Sequence, residues 1–276
     1  MLELPEMVTL AKQMTEASAG DPIISVTIAP DRPKFLFLHP EPEAFIERLV
    51  GRTILNATHA GKWVLARLEN GERLCLGEMF GRILYVPAGD ASPKKVHVTI
   101  AFASGAALAI TIQAWGGVQV LTDRELAEHP YARVNLPDPT SAAFTREHFE
   151  RVLDDRHAWN RKPIKAFLVH EGNVPGIGNG MLQDILFRAR LSPKRKVPDI
   201  APAERERLYG SIVHTIADAV LLGGRDTEKD LYGNPGKYVA RMDRRTAGTP
   251  CPDCGTAIEK ISYLGGSCYL CPRCQA

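Results

Sequence analysis

The cysteines near the C-terminus constrain this chain more than any other sequence feature. Five of the six cysteines lie in the last 26 of 276 residues. Four of them form two Cys-Pro-x-Cys pairs, Cys251 with Cys254 and Cys271 with Cys274, which are sixteen residues apart. Thiolates two residues apart fit one tetrahedral ion, and two such pairs complete the four-sulfur shell that zinc prefers. We therefore predict a structural Zn²⁺ site.

The residues between the two pairs indicate the shape of this site. Segments 258–263 and 267–270 are strand-like, which predicts a zinc β-hairpin. Cys268 is an alternative ligand, but the repeated Cys-Pro-x-Cys form favours Cys271 and Cys274. A hairpin of this size has little core, so metal binding supplies much of its folding free energy. Cys75, in an apolar stretch, is interpreted as a buried, inert thiol.

Composition excludes several classes of protein. The chain is 45% hydrophobic and 24% charged, with 34 basic and 32 acidic residues, which is typical of a globular protein with a sizeable core. No run of eighteen apolar residues predicts a membrane helix, and the acidic start lacks the apolar region of a secretory signal. We therefore expect a cytoplasmic protein in a reducing compartment, where metal binding is favoured over disulfides.

The first half of the chain predicts one helix followed by a β-rich region. Residues 5–18 have apolar side chains at helical spacing after a proline, and a short helix is expected at 43–50. Turn signals separate short apolar segments, which favours a sandwich or barrel. The predicted strands are 24–28, 34–38, 53–57, 63–68, 74–76, 83–86, 96–102 and 108–112.

The second half predicts a helical domain. Residues 134–143 are rich in proline and small polar residues and are interpreted as a linker, whereas 225–250 is predicted to be a long loop. Helices are expected at 144–154, 162–170, 179–190 and 202–222. The predicted class is α+β. Three parts are expected: 1–133 with the helix and β-sandwich, 144–224 with the helices, and 225–276 with the loop and the zinc hairpin.

A glycine-rich turn and a basic run suggest binding to nucleic acid. The turn 174–179 opens a helix, where backbone N–H groups attract phosphate, and its Gly178 lets the backbone approach closely. Asn179 adds a side-chain amide, and Lys165 precedes the turn by one helix. The run 187–196 holds five basic residues, including Arg188 and Arg190, and no acid. An ordinary helix-entry turn and a solvated helix end are the alternatives, but the combination with a zinc hairpin favours a nucleic-acid backbone.

Taken in order along the chain, these motifs resemble the formamidopyrimidine-DNA glycosylase / endonuclease VIII family. The resemblance spans residues 1 to 275. It is carried by Met-Leu-Glu-Leu-Pro-Glu at the start, Gly61-Lys62-Trp63, Lys162-Pro-Ile-Lys165, Pro175-Gly-Ile-Gly-Asn179, Asp184-Ile-Leu-Phe187 and the four-cysteine hairpin. It implies an N-terminal helix with a β-sandwich, a helix–two-turn–helix domain and a zinc finger.

The resemblance also implies a function. Members of the family excise oxidised bases from DNA, and most then cut the strand as an AP lyase. The expected partner is double-stranded DNA that contains a damaged base, and the expected cofactor is structural zinc. A bacterial-type monomer associated with the nucleoid, with no membrane contact, is expected.

Roles transfer to this chain residue by residue. Glu3 matches the catalytic acid/base at the sugar, and Glu6 matches a supporting glutamate. Lys62 matches the lysine that reaches the lesion and its phosphate. Lys165 and Asn179 match phosphate-contacting residues. The residues that match those filling the gap left by a flipped base are Met79, Gln113 and Trp115, with Gln113 where Arg is usual and Trp115 in place of Phe.

Two departures from the family pattern affect the expected chemistry. The family uses a proline directly after the initiator methionine as an N-terminal secondary amine, and this chain has Leu2. Because methionine is removed only before small residues, Met1 is expected to remain. The phosphate-gripping arginine of the family's zinc finger lies five residues before the third cysteine, and that position is Gly266 here.

These departures leave three functional hypotheses. The first is a DNA glycosylase with altered chemistry, in which Glu3 activates water, or in which Lys62 or the Met1 amine forms an imine. The second is a non-catalytic binder of damaged or structured nucleic acid. The third treats the zinc hairpin as a module for protein contacts, which the ordered resemblance disfavours. Whether loop 225–250 caps an extruded base stays open.

Overall fold

The chain divides into two compact units. A computed structural model describes residues 1–132, 134–154, 161–170 and 172–275. The first unit comprises Met1–Val134 and Leu222–Lys237, and the second comprises Asn135–Leu221 and Tyr238–Ala276. The sequence analysis predicted that residues 225–276 form one part, whereas in the structure residues 222–237 belong to the first unit. The reason is packing: Leu231 is fully buried in the core of the first unit, and Tyr85 N donates to its carbonyl at 2.7 Å.

The first unit contains a long helix and two sheets. Helix α1 (Leu4–Ser18) buries Met7, Leu10 and Met14 on one face, as the apolar spacing predicts. The remaining helices of this unit are α2 (Pro42–Leu49) and α3 (Asp123–Ala127). The strands are β1 (Ile23–Ile28), β2 (Leu36–His39), β3 (Ile54–Ala60), β4 (Trp63–Leu68), β5 (Arg73–Gly77), β6 (Gly81–Val86), β7 (Val98–Phe102), β8 (Ala107–Ile112) and β9 (Gly116–Leu121).

The two sheets have different topologies. One has four strands in the order β1-β7-β8-β6, all antiparallel. The other has five strands in the order β2-β9-β5-β4-β3, and only its β2–β9 pair is parallel. Buried side chains of both sheets, such as Val64 and Ile100, form one core with α1 and α2. This arrangement agrees with the predicted sandwich.

Strand β9 was not predicted, and its first two residues explain why. Gly116 and Gly117 carry no β-propensity signal, since glycine weakens strands. Both are needed here, because neighbouring side chains leave no room for a Cβ: the Trp63 ring at Gly117 and Ile112 at Gly116. A Cβ at Gly77 or at Gly117 would overlap the Trp63 ring, and a Cβ at Gly116 would lie 2.6 Å from Ile112. Helix α3 was also not predicted, and it has only five residues.

The second unit consists of helices and a terminal hairpin. The helices are α4 (Arg146–Asp154), α5 (Ile164–Leu168), α6 (Asn179–Ala189) and α7 (Pro202–Leu221), and a 3₁₀ turn spans Val197–Asp199. The hairpin strands are β10 (Glu259–Tyr263) and β11 (Gly266–Leu270), which pair antiparallel. The predicted and observed ends of these helices and strands differ by at most two residues. In the described part of the chain, no helix is both long and apolar enough to cross a bilayer.

Candidate functional site

Two buried carboxylates stand at the start of α1. Glu3 and Glu6 are only 1% and 3% exposed. Burying a carboxylate costs free energy unless it has hydrogen-bond or ion-pair partners, so both side chains require such partners. Glu3 precedes the helix as its N-cap, and its backbone N–H donates to Glu6 Oε2 at 2.8 Å. The three-residue spacing therefore brings both acids to the same end of α1.

A buried arginine from a distant part of the chain forms ion pairs with both carboxylates. Arg225 donates from Nε to Glu6 Oε1 at 3.1 Å and from Nη2 to Glu6 Oε2 at 2.8 Å, a two-pronged ion pair. Its Nη1 lies 3.4 Å from Glu3 Oε1, and its backbone N–H donates to Glu6 Oε1 at 2.9 Å. Gly224 permits this approach with φ +96°, because a Cβ there would lie 3.0 Å from the Glu6 side chain.

The ion pair sets the charge of the cluster. Burial alone would raise the pKa of Glu6, but the charge and hydrogen bonds of Arg225 outweigh it and hold that pKa below its usual value. Burial would likewise lower the pKa of Arg225, and the charges of Glu6 and Glu3 raise it instead. Glu6 and Arg225 are therefore both charged in the folded protein at neutral pH.

The first two residues are built into the same cluster. Leu2 is 2% exposed, and its amide N–H donates to the Met79 carbonyl at 3.0 Å. The Met1 ammonium donates to Glu228 Oε1 at 2.9 Å, and the Met1 carbonyl accepts from Arg225 Nη2 at 2.7 Å. The nitrogen of Leu2 is therefore a peptide nitrogen whose hydrogen is engaged, and the terminal amine lies one residue earlier.

A polar cavity of about 260 Å³ opens beside the N-terminus. Met1, Phe80 and Gln113 line it together with residues of the segment 226–235. Lys229 pairs with Pro235 in an isolated antiparallel bridge, in which Gly236 N donates to Glu228 O at 3.2 Å and Asp230 N donates to Asn234 O at 2.9 Å. These bonds fold the segment back on itself. The first part of the predicted loop 225–250 therefore supplies much of the wall of this cavity.

Lys62 occupies the turn between β3 and β4. Gly61 adopts φ +54°, which allows this tight two-residue connection. The Lys62 side chain is 6% exposed, and its Nζ lies 3.9 Å from Glu78 Oε1. Glu78 follows β5 with φ 46°. Lys62 is therefore a buried amine with an acidic neighbour.

The three residues expected to fill a base gap are only partly brought together at the surface. Met79 is fully buried in the core of the first unit, which differs from its expected role. Phe80 stands exposed in its place and packs against Trp115 with ring centroids 5.4 Å apart. Phe80 N donates to Trp115 O at 2.8 Å, and Gln113 N donates to Phe80 O at 2.7 Å. The surface group is thus Phe80, Gln113 and Trp115.

The expected phosphate-contacting residues converge in the second unit. Lys165 is 2% exposed, and its Nζ donates to Tyr263 O at 2.6 Å. Asn179 begins α6, with Gly178 as the N-cap. A Cβ at Gly266 would lie 3.3 Å from Asn179 Nδ2 and 3.5 Å from Lys165 Nζ. We call Lys165, Gly178, Asn179 and Gly266 the phosphate corner.

The basic run after α6 is partly neutralised within the protein. Arg188 Nη2 donates to Asp218 Oδ2 at 2.8 Å, and Arg195 pairs with Glu204 at 3.0 Å. Arg190 ends α6 in the left-handed conformation, with φ 56°, and its side chain is 63% exposed. Of Arg188 and Arg190, the latter is therefore the more accessible to a ligand.

The four cysteines form a compact cluster. The sulfurs of Cys251, Cys254, Cys271 and Cys274 all lie within 4.8 Å of one another. The Cys251–Cys274 and Cys254–Cys271 sulfur distances are 3.9 and 3.4 Å. With Zn–S bonds of about 2.3 Å, the sulfurs of a tetrahedral site are about 3.8 Å apart, so this donor set fits zinc. Cys268 is not in the cluster.

Two glutamines anchor the hairpin. Gln183 of α6 donates to Ser267 O at 3.1 Å and accepts from Tyr269 N at 3.2 Å. Gln275 accepts from Cys271 N at 2.9 Å and donates to Leu191 O at 3.0 Å. Asp184, singled out in the sequence motif, is fully buried and accepts from Tyr238 Oη at 2.7 Å. These contacts position the hairpin beside the N-terminus of α6.

Comparison with known proteins agrees with this geometry. Residues 1–113 match the formamidopyrimidine-DNA glycosylase N-terminal domain, and residues 136–230 match the H2TH domain of the same glycosylases. A formamidopyrimidine-DNA glycosylase of Geobacillus kaustophilus is 30% identical, and both chains are covered fully. One from Symbiobacterium thermophilum is 33% identical, with 100% of this chain and 89% of the relative covered.

Solved structures show the same fold. The MutM (Fpg) protein of Thermus thermophilus matches with a TM-score of 0.84 and 27% identity, covering 99% of this chain and 98% of that one. Lactococcus lactis Fpg in complex with abasic-site DNA matches with a TM-score of 0.85 and 23% identity, covering 99% of both chains.

The helix-capped β-sandwich, the H2TH helices and the four-cysteine hairpin define a DNA-glycosylase architecture. The chain belongs to the formamidopyrimidine-DNA glycosylase family, as the sequence motifs predicted.

Sequence reasoning missed Arg225, Glu228 and Phe80. Arg225 is 219 residues from Glu6 in sequence, so no local pattern links them. The one available signal was Gly223-Gly224 after an amphipathic helix, since glycines at a helix end often shape a functional turn.

Proposed function

We propose that this chain is a DNA glycosylase that removes oxidised or otherwise damaged bases from double-stranded DNA by hydrolysis. Relatives of the same length carry the glycosylase name. Glu3 is the proposed general base and Glu6 its support. The proposal differs from the family pattern in one respect, namely that no N-terminal imine is formed.

The position of the Leu2 nitrogen carries this proposal. A peptide nitrogen shares its lone pair with the carbonyl, so it is no nucleophile. That of Leu2 also donates to Met79 O at 3.0 Å. The Met1 amine is a primary amine in contact with Glu228 at 2.9 Å, and attack on a sugar carbon requires it to lose a proton and leave that contact.

The proposed reaction uses water as the nucleophile. Glu3 accepts a proton from water, whose oxygen forms a bond to C1′ of the sugar. The bond between C1′ and the base breaks, and the base leaves with the electron pair and takes up a proton. Arg225 positions the carboxylates, since its guanidinium contacts both Glu6 and Glu3. The products are a free base and an abasic site.

A lesion-panel incision assay tests this mechanism. Duplexes with single oxidised bases are incubated with the protein and divided into samples with and without alkali. Because alkali cleaves abasic sites, hydrolytic excision gives strand breaks only after alkali. Strand breaks without alkali, together with borohydride trapping at the N-terminal residue, would contradict the proposal.

Lys62 offers a second route that the same assay separates. Its amine is buried, and an amine in that state can form an imine if it is neutral. Trapping that disappears in Lys62→Ala would assign the route to Lys62. Leu2→Pro provides a complementary test, since methionine before proline is removed and the secondary amine is then adjacent to Glu3. Trapping gained only in Leu2→Pro would support the role of Leu2.

One observation favours a second function, that of a non-catalytic binder of damaged DNA. Leu2 stands where the family has its nucleophilic proline. Binding of damaged duplexes without excision by wild type or by Leu2→Pro would favour this function.

We propose that the cysteine cluster holds structural Zn²⁺. Each thiolate would bind as a ligand, with the hairpin strands fixing the two pairs. Cys274→Ser is expected to reduce zinc content and loosen the hairpin, whereas Cys75→Ser, outside the cluster, leaves zinc content unchanged. Burial raises the pKa of Cys75 to about 12, in keeping with an inert thiol. Freshly purified protein without metal would contradict this.

We further propose that the protein acts as a monomer in the bacterial cytoplasm, in contact with the nucleoid. Phosphate contacts by Lys165, Asn179 and Arg190 would make DNA affinity fall steeply with salt. Gel filtration tests the oligomeric state, and affinity that stays constant between low and moderate salt would contradict the phosphate contacts.

A further inference from the structure

A second, aromatic cavity lies in the first unit. Its volume is about 400 Å³, within the range of small-ligand pockets. Three aromatic side chains of its wall are about half exposed: Phe37 at 53%, Trp115 at 42% and Tyr131 at 57%. Such rings at one site are unusual on a protein surface, where large aromatic side chains mark binding sites. In nucleic-acid-binding proteins, exposed aromatic rings stack on unpaired bases.

A ring contact connects this cavity with the polar cavity beside the N-terminus. Phe80 and Gln113 line the polar cavity, whereas Trp115 and Glu78 line the aromatic one. The centroids of the Phe80 and Trp115 rings lie 5.4 Å apart, and three backbone hydrogen bonds join Phe80 to the segment 113–115. The two rings are tilted by 37° to each other, and the pair contributes one ring to each cavity.

The wall of the aromatic cavity carries polar groups that discriminate between ligands. The Glu78 side chain is 25% exposed, and its carboxylate accepts hydrogen bonds only. Trp63 Nε1 and Gln119 Oε1 are buried and have no hydrogen-bond partner in the described part of the chain. The wall thus offers a carboxylate, one donor and one acceptor around a flat aromatic space.

We propose that the aromatic cavity receives the base opposite the lesion, everted from the complementary strand, while the damaged base occupies the polar cavity. This inference rests on the proposed function. The Phe80–Trp115 pair stands between the two bases and takes the place of the separated base pair. Phe37, Trp115 and Tyr131 provide the stacking surface, and Glu78 reads the edge of the base.

The carboxylate predicts a preference among opposite bases. Cytosine, adenine and guanine each present an amino group that can donate to Glu78. Thymine presents a single ring N–H between two carbonyl oxygens, which repel a carboxylate. We therefore expect tighter binding and faster excision when the base opposite the lesion carries an amino group.

A series of duplexes that differ only in the base opposite the lesion tests the inference. One lesion, or a non-cleavable abasic analogue, is placed opposite cytosine, thymine or an abasic position. Wild type is expected to favour cytosine over thymine about tenfold in affinity and in excision. Tyr131→Ala should weaken binding to the duplexes with an opposite base about tenfold and leave the opposite-abasic duplex unchanged. Glu78→Gln should remove the preference for cytosine over thymine.

Phe35→Ala is the matched control. Phe35 is 54% exposed and directly precedes β2, the strand that carries Phe37. It does not line the cavity. It is expected to behave like wild type on all three duplexes. If Tyr131→Ala weakens all three duplexes equally, or if Glu78→Gln keeps the preference for cytosine, the inference is wrong.

The binding and excision arms separate this inference from the proposed function. Opposite-base discrimination in binding, without excision of any lesion, would overturn the glycosylase proposal and support the aromatic site. Excision without opposite-base discrimination would support the glycosylase and overturn the aromatic site.

Discussion

The carboxylate cluster at the start of α1 and the phosphate corner at the start of α6 are both built on a helix N-terminus. They differ in the partners of their charged side chains. Glu3 and Glu6 are matched by a buried cation, Arg225, inside their own unit. In the phosphate corner, the Lys165 ammonium is bound to a backbone carbonyl, and Gly266 adds no side chain. The first site thus contains its own counter-ion, whereas the second has a glycine at the position where the family resemblance predicts an arginine.

The largest effect is expected from removing the proposed base of the carboxylate cluster. Glu3→Gln keeps the shape but cannot accept a proton, so excision should fall by roughly a hundred- to ten-thousand-fold. Single-turnover excision with alkali treatment measures this. Glu16→Gln is the control, because Glu16 lies on the same helix in an exposed pair with Lys12. Similar loss in both variants would contradict the assignment.

The next effect concerns the cation that distinguishes the two sites. Arg225→Met leaves two buried carboxylates without their partner, and we expect a loss of about 3–5 kcal/mol in the free energy of unfolding. Urea unfolding measures this. Arg124→Met removes a surface arginine that is 87% exposed, and its pair with Glu128 should contribute close to nothing. Equal stability of the two variants would show that the cluster is not organised by Arg225.

Restoring a cation to the phosphate corner should make the two sites more alike. Gly266→Arg starts a long side chain beside Asn179 and Lys165, whose flexible ends can shift to make room. One added phosphate contact should raise DNA affinity about tenfold at low salt and steepen the logarithmic salt dependence by about 0.9. Fluorescence anisotropy across a salt series measures both.

A second finger position controls for added charge alone. Ser262→Arg places an arginine at an exposed position of β10, outside the phosphate corner. It should change affinity less than Gly266→Arg. Equal gains from both variants would mean that the corner has no special geometry.

The smallest expected effect is a pH dependence confined to the carboxylate cluster. Arg225 holds the pKa of Glu6 below its unfolded value of 4.5, so the native state binds fewer protons in acid. The stability from this pair is present above about pH 4.5 and is lost as pH falls through the lowered pKa. The Tm difference between wild type and Glu6→Gln should therefore shrink by a few degrees from pH 7 to pH 3. A constant difference would contradict this.

Features that depend on residues close together in the sequence were predictable. Glu3 and Glu6 lie three residues apart at a helix start, and the cysteine pairs have metal-ligand spacing, so both clusters follow from local geometry. The helices of the second unit follow from apolar periodicity. Lys165, Asn179 and Gly266 converge in the fold, and their proposed phosphate contacts stay a prediction.

Features that depend on distant contacts were not predictable. Arg225 pairs with acids more than 200 residues earlier, and the segment 222–237 packs with the first unit because Leu231 completes its core. Met79 and Phe80 are adjacent and both apolar, so only the path of the connection between β5 and β6 decides which of them is buried. Strand β9 begins with two glycines, and the reason for them is visible only in the fold, where Ile112 packs against Gly116 and the Trp63 ring packs against Gly117.

The packing of Trp63 on Gly77 and Gly117 also has an evolutionary consequence. The three positions form an epistatic unit, because a side chain at either glycine overlaps the indole ring. A substitution at Gly77 is therefore harmful in the present background and becomes acceptable only after Trp63 has been replaced by a smaller residue. The order of mutations is constrained: the tryptophan must change first, at the cost of a cavity, before either glycine is free to vary.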